Sequence, residues 1–407
     1  MTADLGTVVV VGASLAGVQA ADTLREKGFG GRVILVGAEP HLPYDRPPLS
    51  KELLAGTSTP DEALLRPAGH FDDRGIELVL GTVATGLDFG RRLVHLSVRG
   101  AEMVPLGFDG LVIATGAAPR RLPGTSALEG VHVLRTLDDC LAVSAALDAS
   151  PRVVVVGAGF IGAEVAATCR GRGLEVTVVE ALPVPLAKAV GPAIGAALAE
   201  LHREHGVALR TGVGVAALEG AGRVERVALA DGSVIDADLV VVGVGVKPQT
   251  AWLEGSGLTL DDGVVCDAAC VAAPGVVAAG DVARWDNQLF GGLMRVEHWT
   301  NAVEQGTAAA TSLLAAAAGE RPVAFAPVPY FWSDQYGLRI QYLGASRPGD
   351  EMVVVDGSLD DRRFVAVYGR EGRIVAALAV GRARRLMAYR RMIAERGPWD
   401  EALSAGR

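Results

Sequence analysis

The chain opens with Thr7–Val11, an unbroken apolar, β-branched run of the kind a strand buried on both faces requires. The next residues are GASLAG (Gly12–Gly17), an Ala-rich stretch with helical periodicity to Lys27, and a second run from Arg32 to Val36. Together these predict a βαβ unit. The same order returns with Arg152–Val156, GAGFIG (Gly157–Gly162), a helical pattern to Arg172 and Glu175–Val179, offset by about 145 residues. Between the copies, FDGLVIATG reads as a strand ending in a glycine turn at Gly116, and DLVVVGVG (Asp238–Gly245) closes the second copy in the same way. VVAAGD follows at Val276–Asp281, then a helical Ala-rich segment, Ala302–Ala318, and a break at Gly319–Pro322. The remainder holds four strand candidates, Arg339–Leu343, Met352–Val355, Phe364–Tyr368 and Arg373–Val380, and a basic helix. The predicted fold class is α/β, with two Rossmann-like dinucleotide-binding domains and an α+β C-terminal domain. Its expected boundaries are 1–118 with 246–325, 119–245, and 326–407.

A glycine-rich turn between strand and helix lets backbone N–H groups at a helix N-terminus approach a pyrophosphate with no side chain in the way. The first loop carries Gly12, Ser14 and Gly17, with a small hydroxyl residue where the second glycine is usual, and Glu39 stands at the end of its second strand to accept from a ribose. The second loop, Gly157, Gly159 and Gly162, is complete, and Glu180 occupies the matching acidic position. A carboxylate there accepts from a ribose 2′-OH and repels a 2′-phosphate, and 181–186 contains neither Lys nor Arg, so NADH is favoured over NADPH. Two dinucleotide folds in one chain imply two dinucleotides, most economically FAD held permanently and NADH bound transiently.

Composition narrows the class further. With 407 residues, half of them hydrophobic and 21% charged, the chain is a folded protein of two to three domains, and disorder is excluded. The 52 glycines exceed the usual share without a collagen period, which fits backbone that closely approaches other groups. A net charge of −9 disfavours nucleic acid and anionic membrane as partners. The longest apolar stretch, Ala308–Ala318, is interrupted by Thr311 and Ser312, and the N-terminus lacks a basic region before a short apolar run. A soluble cytoplasmic protein is expected. Four scattered cysteines (140, 169, 266 and 270) form no CxxC pair, and no His or Cys spacing suits a metal, so none is assigned.

With these motifs in view, the chain resembles, over essentially its whole length, the two-dinucleotide flavoprotein reductases of glutathione-reductase-like fold. Disulfide reductases of that group carry a cysteine pair beside the flavin and peroxidase or oxidase relatives carry one cysteine in the first domain, whereas residues 1–139 here hold none. YDRPPLSK (Tyr44–Lys51) and VPYFWSDQYGLRIQYLG (Val328–Gly344) resemble the ferredoxin reductases that serve haem-thiolate (P-450 type) monooxygenases and ring-hydroxylating dioxygenases.

The resemblance implies hydride transfer from NADH to FAD, then single-electron transfers to a [2Fe–2S] ferredoxin. It places Lys51 near the flavin N5 edge, where it could pair with Glu164, and assigns FAD contacts to Arg46, Val83, Ala114, Thr115, Gly116, Arg135, Asp281, Glu297 and Trp299. Gly245 is implied beside NADH. Trp332 is either a tryptophan at the flavin edge or a core residue of the third domain, and Tyr330 stands where relatives often have Trp. Residues 326–407 contain 13 Arg against 10 Asp and Glu, concentrated at Arg382, Arg384, Arg385, Arg390 and Arg391; this is either a solvated helix face or a docking surface for an acidic ferredoxin. A rubredoxin reductase or NADH oxidase-like flavoprotein is the alternative enzyme on this fold. An apoptosis-inducing-factor-like signalling flavoprotein is the alternative of another class.

Overall fold

The computed structural model describes residues 5–124 and 128–406. Both glycine motifs lie in βαβ units. In the first, β1 (Thr7–Val11) leads through α1 (Leu15–Glu26) to β2 (Arg32–Val36); in the second, β3 (Val153–Val156) leads through α2 (Phe160–Gly171) to β4 (Val176–Glu180). Each pair of strands is parallel, with Val9 opposite Ile34 and Val155 opposite Val178. All four residues of β3 and the last four of β1 and β2 are buried, as their apolar runs require.

The chain divides into two compact units. The first comprises residues 5–45, 63–118 and 247–329. Its six-stranded sheet runs in the order 271–273, 276–278, 110–113, β1, β2, 76–79, and is parallel apart from the antiparallel pairing of its first two strands. On one face α1 packs closely against the helix Trp299–Ala317, because both present small residues: a Cβ on Gly306 would sit 2.6 Å from the Ala16 carbonyl oxygen. That helix starts three residues before the expected Ala302, with His298 extended at its N-cap.

The second unit comprises 46–62, 119–246 and 330–406, leaving aside 125–127, which lie outside the described residues. Its parallel sheet has the order 131–133, 239–242, β3, β4, 208–211. A separate antiparallel sheet contains β5 (Tyr330–Gln335), β6 (Leu338–Gly344), β7 (Glu351–Ser358), β8 (Arg363–Arg370) and β9 (Arg373–Val380), in the order β5, β6, β9, β8, β7. It is followed by α3 (Ala383–Ala394) and the short α4 (Trp399–Ser404).

The sequence pattern supplies four of these five strands. The fifth, β5, has polar residues at Ser333, Asp334 and Gln335, and two of them are buried, so no apolar alternation announces it. The sheet's inner face, with Ile340, Phe364, Ala366 and Leu378, packs on Val190, Ile194 and Leu198 of the segment after β4.

The spacing of each glycine loop follows from backbone contact. A Cβ on Gly17 would lie 1.8 Å from the Gly12 carbonyl oxygen, and one on Gly162 would lie 2.1 Å from that of Gly157. The middle position differs. Gly159 is extended, at φ −71° and ψ 176°, and a Cβ there meets nothing within 4 Å; Ser14, its counterpart, is also extended, at φ −112° and ψ −168°. Neither position needs glycine for its backbone conformation, which explains how the first loop accommodates serine.

Thermal unfolding of single variants tests this distinction. Gly162→Ala is expected to lose about 1–3 kcal/mol of stability, as overpacking does, and Gly159→Ala to unfold at nearly the wild-type midpoint.

Candidate functional site

In the second unit, α2 begins at the glycine loop with Gly159, which has no side chain to cap it, and its first turn holds no acidic residue. This leaves the helix N-terminus suited to a phosphate. Glu180, at the end of β4, accepts from the Ala158 N–H at 2.9 Å and the Leu182 N–H at 2.8 Å, so its carboxylate is fixed beside the loop as expected for a ribose acceptor. Gly245 adopts φ +93°, a left-handed conformation that favours glycine, with open space around its Cα; its carbonyl accepts from the Arg120 N–H at 2.8 Å.

One helical turn beyond the loop, Glu164 is a buried carboxylate, 2% exposed. Lys51 Nζ reaches its Oε2 at 2.6 Å, and the Ser50 hydroxyl reaches the same oxygen at 2.5 Å. Ser333 Oγ lies 2.7 Å from Oε1. Lys51 also donates to the Pro47 carbonyl at 3.2 Å.

The segment carrying Lys51 is held by several further bonds. Thr168 Oγ1 donates to the Ser50 carbonyl at 2.8 Å, Cys140 Sγ approaches the Leu49 carbonyl at 3.2 Å, and Arg172 donates to the Leu54 carbonyl at 3.1 Å. The structure thus brings together the two residues the sequence proposed as a pair, 113 positions apart. Ser50 and Ser333, which the motif analysis left without a role, are added to them. Both lie inside motifs singled out for other residues, and no spacing in the sequence distinguishes them.

Arg46 begins the same segment and donates to the Arg135 carbonyl. Arg135 precedes a helix whose Thr136 and Asp139 form a reciprocal capping box. Trp332 on β5 is half-buried with its ring centroid 6.1 Å from that of Tyr330, and so is not a fully buried core tryptophan. Tyr330 accepts from Gln341 at 2.6 Å.

The first unit assembles the remaining predicted flavin residues. Gly12 has φ +117°, and a Cβ there would lie 2.1 Å from the Ala114 carbonyl oxygen, so the first loop is pressed against the 110–116 strand end. Tyr44 donates to Glu39. Thr115 Oγ1 donates to the Gln249 carbonyl at 2.9 Å, and the Gln249 N–H donates back to Gly116 at 2.9 Å. Arg295 joins the Asp281 carbonyl, at 3.2 Å, to the Glu297 carboxylate, at 2.6 Å. Trp299, partly exposed, donates to Asp45 at 2.7 Å. Val83 is exposed at the start of a strand.

These features fit a dinucleotide: a loop stripped of side chains at a helix N-terminus, and an acid at the end of the next strand. Arg46, Lys51, Arg135 and Trp332 belong to the second compact unit and the other predicted flavin residues to the first. All four cysteines are buried and free, and burial pushes each thiol up, which suits packing and not redox chemistry. No described helix is long and apolar enough to cross a membrane.

The pyridine nucleotide-disulphide oxidoreductase model matches residues 6–306, and the reductase C-terminal model matches 330–406. The chain is 38% identical to rhodocoxin reductase of Rhodococcus erythropolis, over 96% of this chain and 90% of the relative, and 36% identical to putidaredoxin reductase of Pseudomonas putida, over 97% and 93%. The reductase in a covalent putidaredoxin reductase–putidaredoxin complex superposes with a TM-score of 0.91 at 35% identity, covering 98% of this chain and 95% of that one. The chain belongs to the pyridine nucleotide-disulphide oxidoreductase family. Within it, this is an FAD- and nicotinamide-nucleotide-dependent oxidoreductase of the ferredoxin reductase type, with two dinucleotide-binding folds and a reductase C-terminal domain.

Lys51→Met leaves a carboxylate that is almost fully buried with only hydroxyl donors, and breaking such a pair costs about 3–5 kcal/mol. Denaturant unfolding of Lys51→Met is expected to show a loss of that size relative to the unsubstituted protein.

Proposed function

We propose that this chain is an NADH-dependent reductase of a [2Fe–2S] ferredoxin that supplies a haem-thiolate monooxygenase or a ring-hydroxylating dioxygenase in the cytoplasm. The buried Lys51–Glu164 pair beside a complete dinucleotide loop carries this reading, together with relatives named as ferredoxin reductases of such systems. Residues 1–118 with 246–325 form the FAD-binding domain, except that 46–62 packs with the other unit; 119–245 form the NADH-binding domain and 326–407 the partner-facing domain. Bound FAD supplies the ability to take two electrons together as a hydride and release them singly.

The protein's own residues bind and orient. The Gly157–Gly162 loop holds the pyrophosphate of NADH on backbone N–H groups. Glu180, fixed by two backbone donors, accepts from the 2′-OH of the adenosine ribose and presents negative charge where NADPH has a phosphate. Gly245 leaves room for the nicotinamide half, and Lys51, anchored by Glu164, orients the ring and holds a proton beside it. No nucleophile is required. On the first unit, Gly12, Ser14, Gly17 and Glu39 hold the adenosine diphosphate of FAD, and Ala114–Gly116, Asp281, Glu297 and Trp299 line its remainder.

The docking face is read from charge. Arg384, Arg385 and Arg391 are exposed on α3; Arg391 pairs with Glu395 at 2.8 Å, and Arg382 stands 3.8 Å from Asp356. Arg384 and Arg385 are thus the strongest positive points for an acidic ferredoxin.

Anaerobic stopped-flow mixing tests the assignment: NADH should bleach the flavin rapidly, and a [2Fe–2S] ferredoxin should then be reduced in two one-electron steps. Flavin bleaching with no transfer to any ferredoxin, or rapid peroxide formation without one, overturns it. Glu180→Arg should lower the preference for NADH over NADPH by about tenfold or more, since a carboxylate opposed to phosphate is replaced by its favoured partner. Reversing both Arg384 and Arg385 to Glu should slow ferredoxin-linked turnover, more so at low salt, and leave NADH-to-dye reduction intact.

A further inference from the structure

The buried hydroxyl of Ser333 comes from the C-terminal sheet, yet it meets the carboxylate that anchors Lys51. The strand and helix are matched in spacing. Phe331 on β5 packs edge-on against Phe160 at the start of α2, with ring centroids 4.6 Å apart, and two residues further along the strand Ser333 reaches Glu164, four residues further along the helix. Two strand residues advance about 6.6 Å and four helix residues about 6 Å, so the two contacts keep step.

The direction of the Ser333 hydrogen bond follows from its neighbour. The Gln335 side-chain nitrogen, a donor only, gives a hydrogen bond to Ser333 Oγ at 3.1 Å, and this directs the serine proton onto Glu164 Oε1. Lys51 and Ser50 occupy the other carboxylate oxygen, so donors cover both sides of Glu164. Ser333 is fully buried and Gln335 nearly so.

We propose that Ser333 is a positioning residue for hydride transfer, fixing the Glu164 carboxylate and, through it, the direction in which the Lys51 ammonium is presented to the nicotinamide. The proposal rests on the reading of Lys51 and Glu164 as the nicotinamide-facing pair. Other charged groups near this cluster are engaged elsewhere or neutral. Arg172, just past the end of α2, binds Asp148, Asp334 on β5 binds Arg339, and His202 near Gln335 is kept neutral by burial, its pKa lowered to about 4. Cys169 on α2 remains a thiol because burial pushes it up.

The experiment is a double-mutant cycle on the holoenzyme with Ser333→Ala, Glu164→Ala and both together. It is read by the stopped-flow rate of flavin reduction at saturating NADH, by the NAD⁺ dissociation constant and by the thermal midpoint. Ser333→Ala is expected to slow reduction about tenfold, the scale of one lost hydrogen bond to a charged group, with NAD⁺ affinity changed less than about twofold. In the Glu164→Ala background the same change should have little further effect on the rate, and the two midpoints should be non-additive. Ser333→Thr, which keeps the hydroxyl, should restore most of the rate. A wild-type rate in Ser333→Ala, or an equal loss with Glu164 absent, overturns the role of Ser333. A wild-type rate in Glu164→Ala and Lys51→Met overturns the reading of the pair and the proposal with it.

Discussion

A carboxylate removed from water must have its charge and its hydrogen bonds met inside the protein. Glu164 imposes that demand on a large part of this fold. Lying on α2, it draws its partners from two distant stretches: Lys51 and Ser50 from the segment after the first βαβ unit, and Ser333 from the C-terminal sheet. Each stretch is held independently, the first by Thr168, Cys140 and Arg172, and the last by the Phe160–Phe331 contact and the Gln335 amide. The Lys51 ammonium is thereby kept in one place.

The two dinucleotide loops show how little of a binding site need be made of side chains. In each, the last glycine allows the helix to pass close against the strand end, and in the second loop the middle glycine, Gly159, faces open space. What such a loop offers a phosphate is backbone N–H groups and a helix N-terminus, with one carboxylate standing at the end of the next strand in each unit. Glu180 is itself tied to the loop through the Ala158 N–H, so the acid at the end of β4 and the glycine loop are held as one unit.

Charge is distributed unevenly in a way that composition conceals. The chain as a whole is acidic, at −9, while the last 82 residues carry more arginine than acid. Part of that excess is spent internally: Arg370 grips Asp350 at 2.7 Å, Arg339 grips Asp334 at 2.7 Å and Arg362 reaches Glu204 at 2.7 Å. The positive charge left exposed on α3 is concentrated at Arg384 and Arg385, since Arg391 and Arg382 have acidic neighbours. The local field at α3 is therefore opposite in sign to the net charge of the chain.

Much of the fold was legible because its signals are local. β-branched runs followed by glycine turns define both βαβ units to within a residue or two, and the loop spacing with Glu39 and Glu180 identifies the ligand class. A resemblance in YDRPPLSK and PYFWSDQ singled out Lys51 and its pairing with Glu164. Neither β5 nor the role of Ser333 was legible, since Ser333, Asp334 and Gln335 interrupt the apolar pattern that marks a strand. Polarity inside a protein is intelligible only once its partners are known. The sequence by itself determined the repeated dinucleotide architecture, through backbone sterics and hydrophobic periodicity acting over a few residues. Only the tertiary structure decided that Ser50 and Ser333 join Lys51 on one buried carboxylate, because a hydrogen bond between residues 114 or 169 positions apart is set by packing and leaves no spacing in the chain.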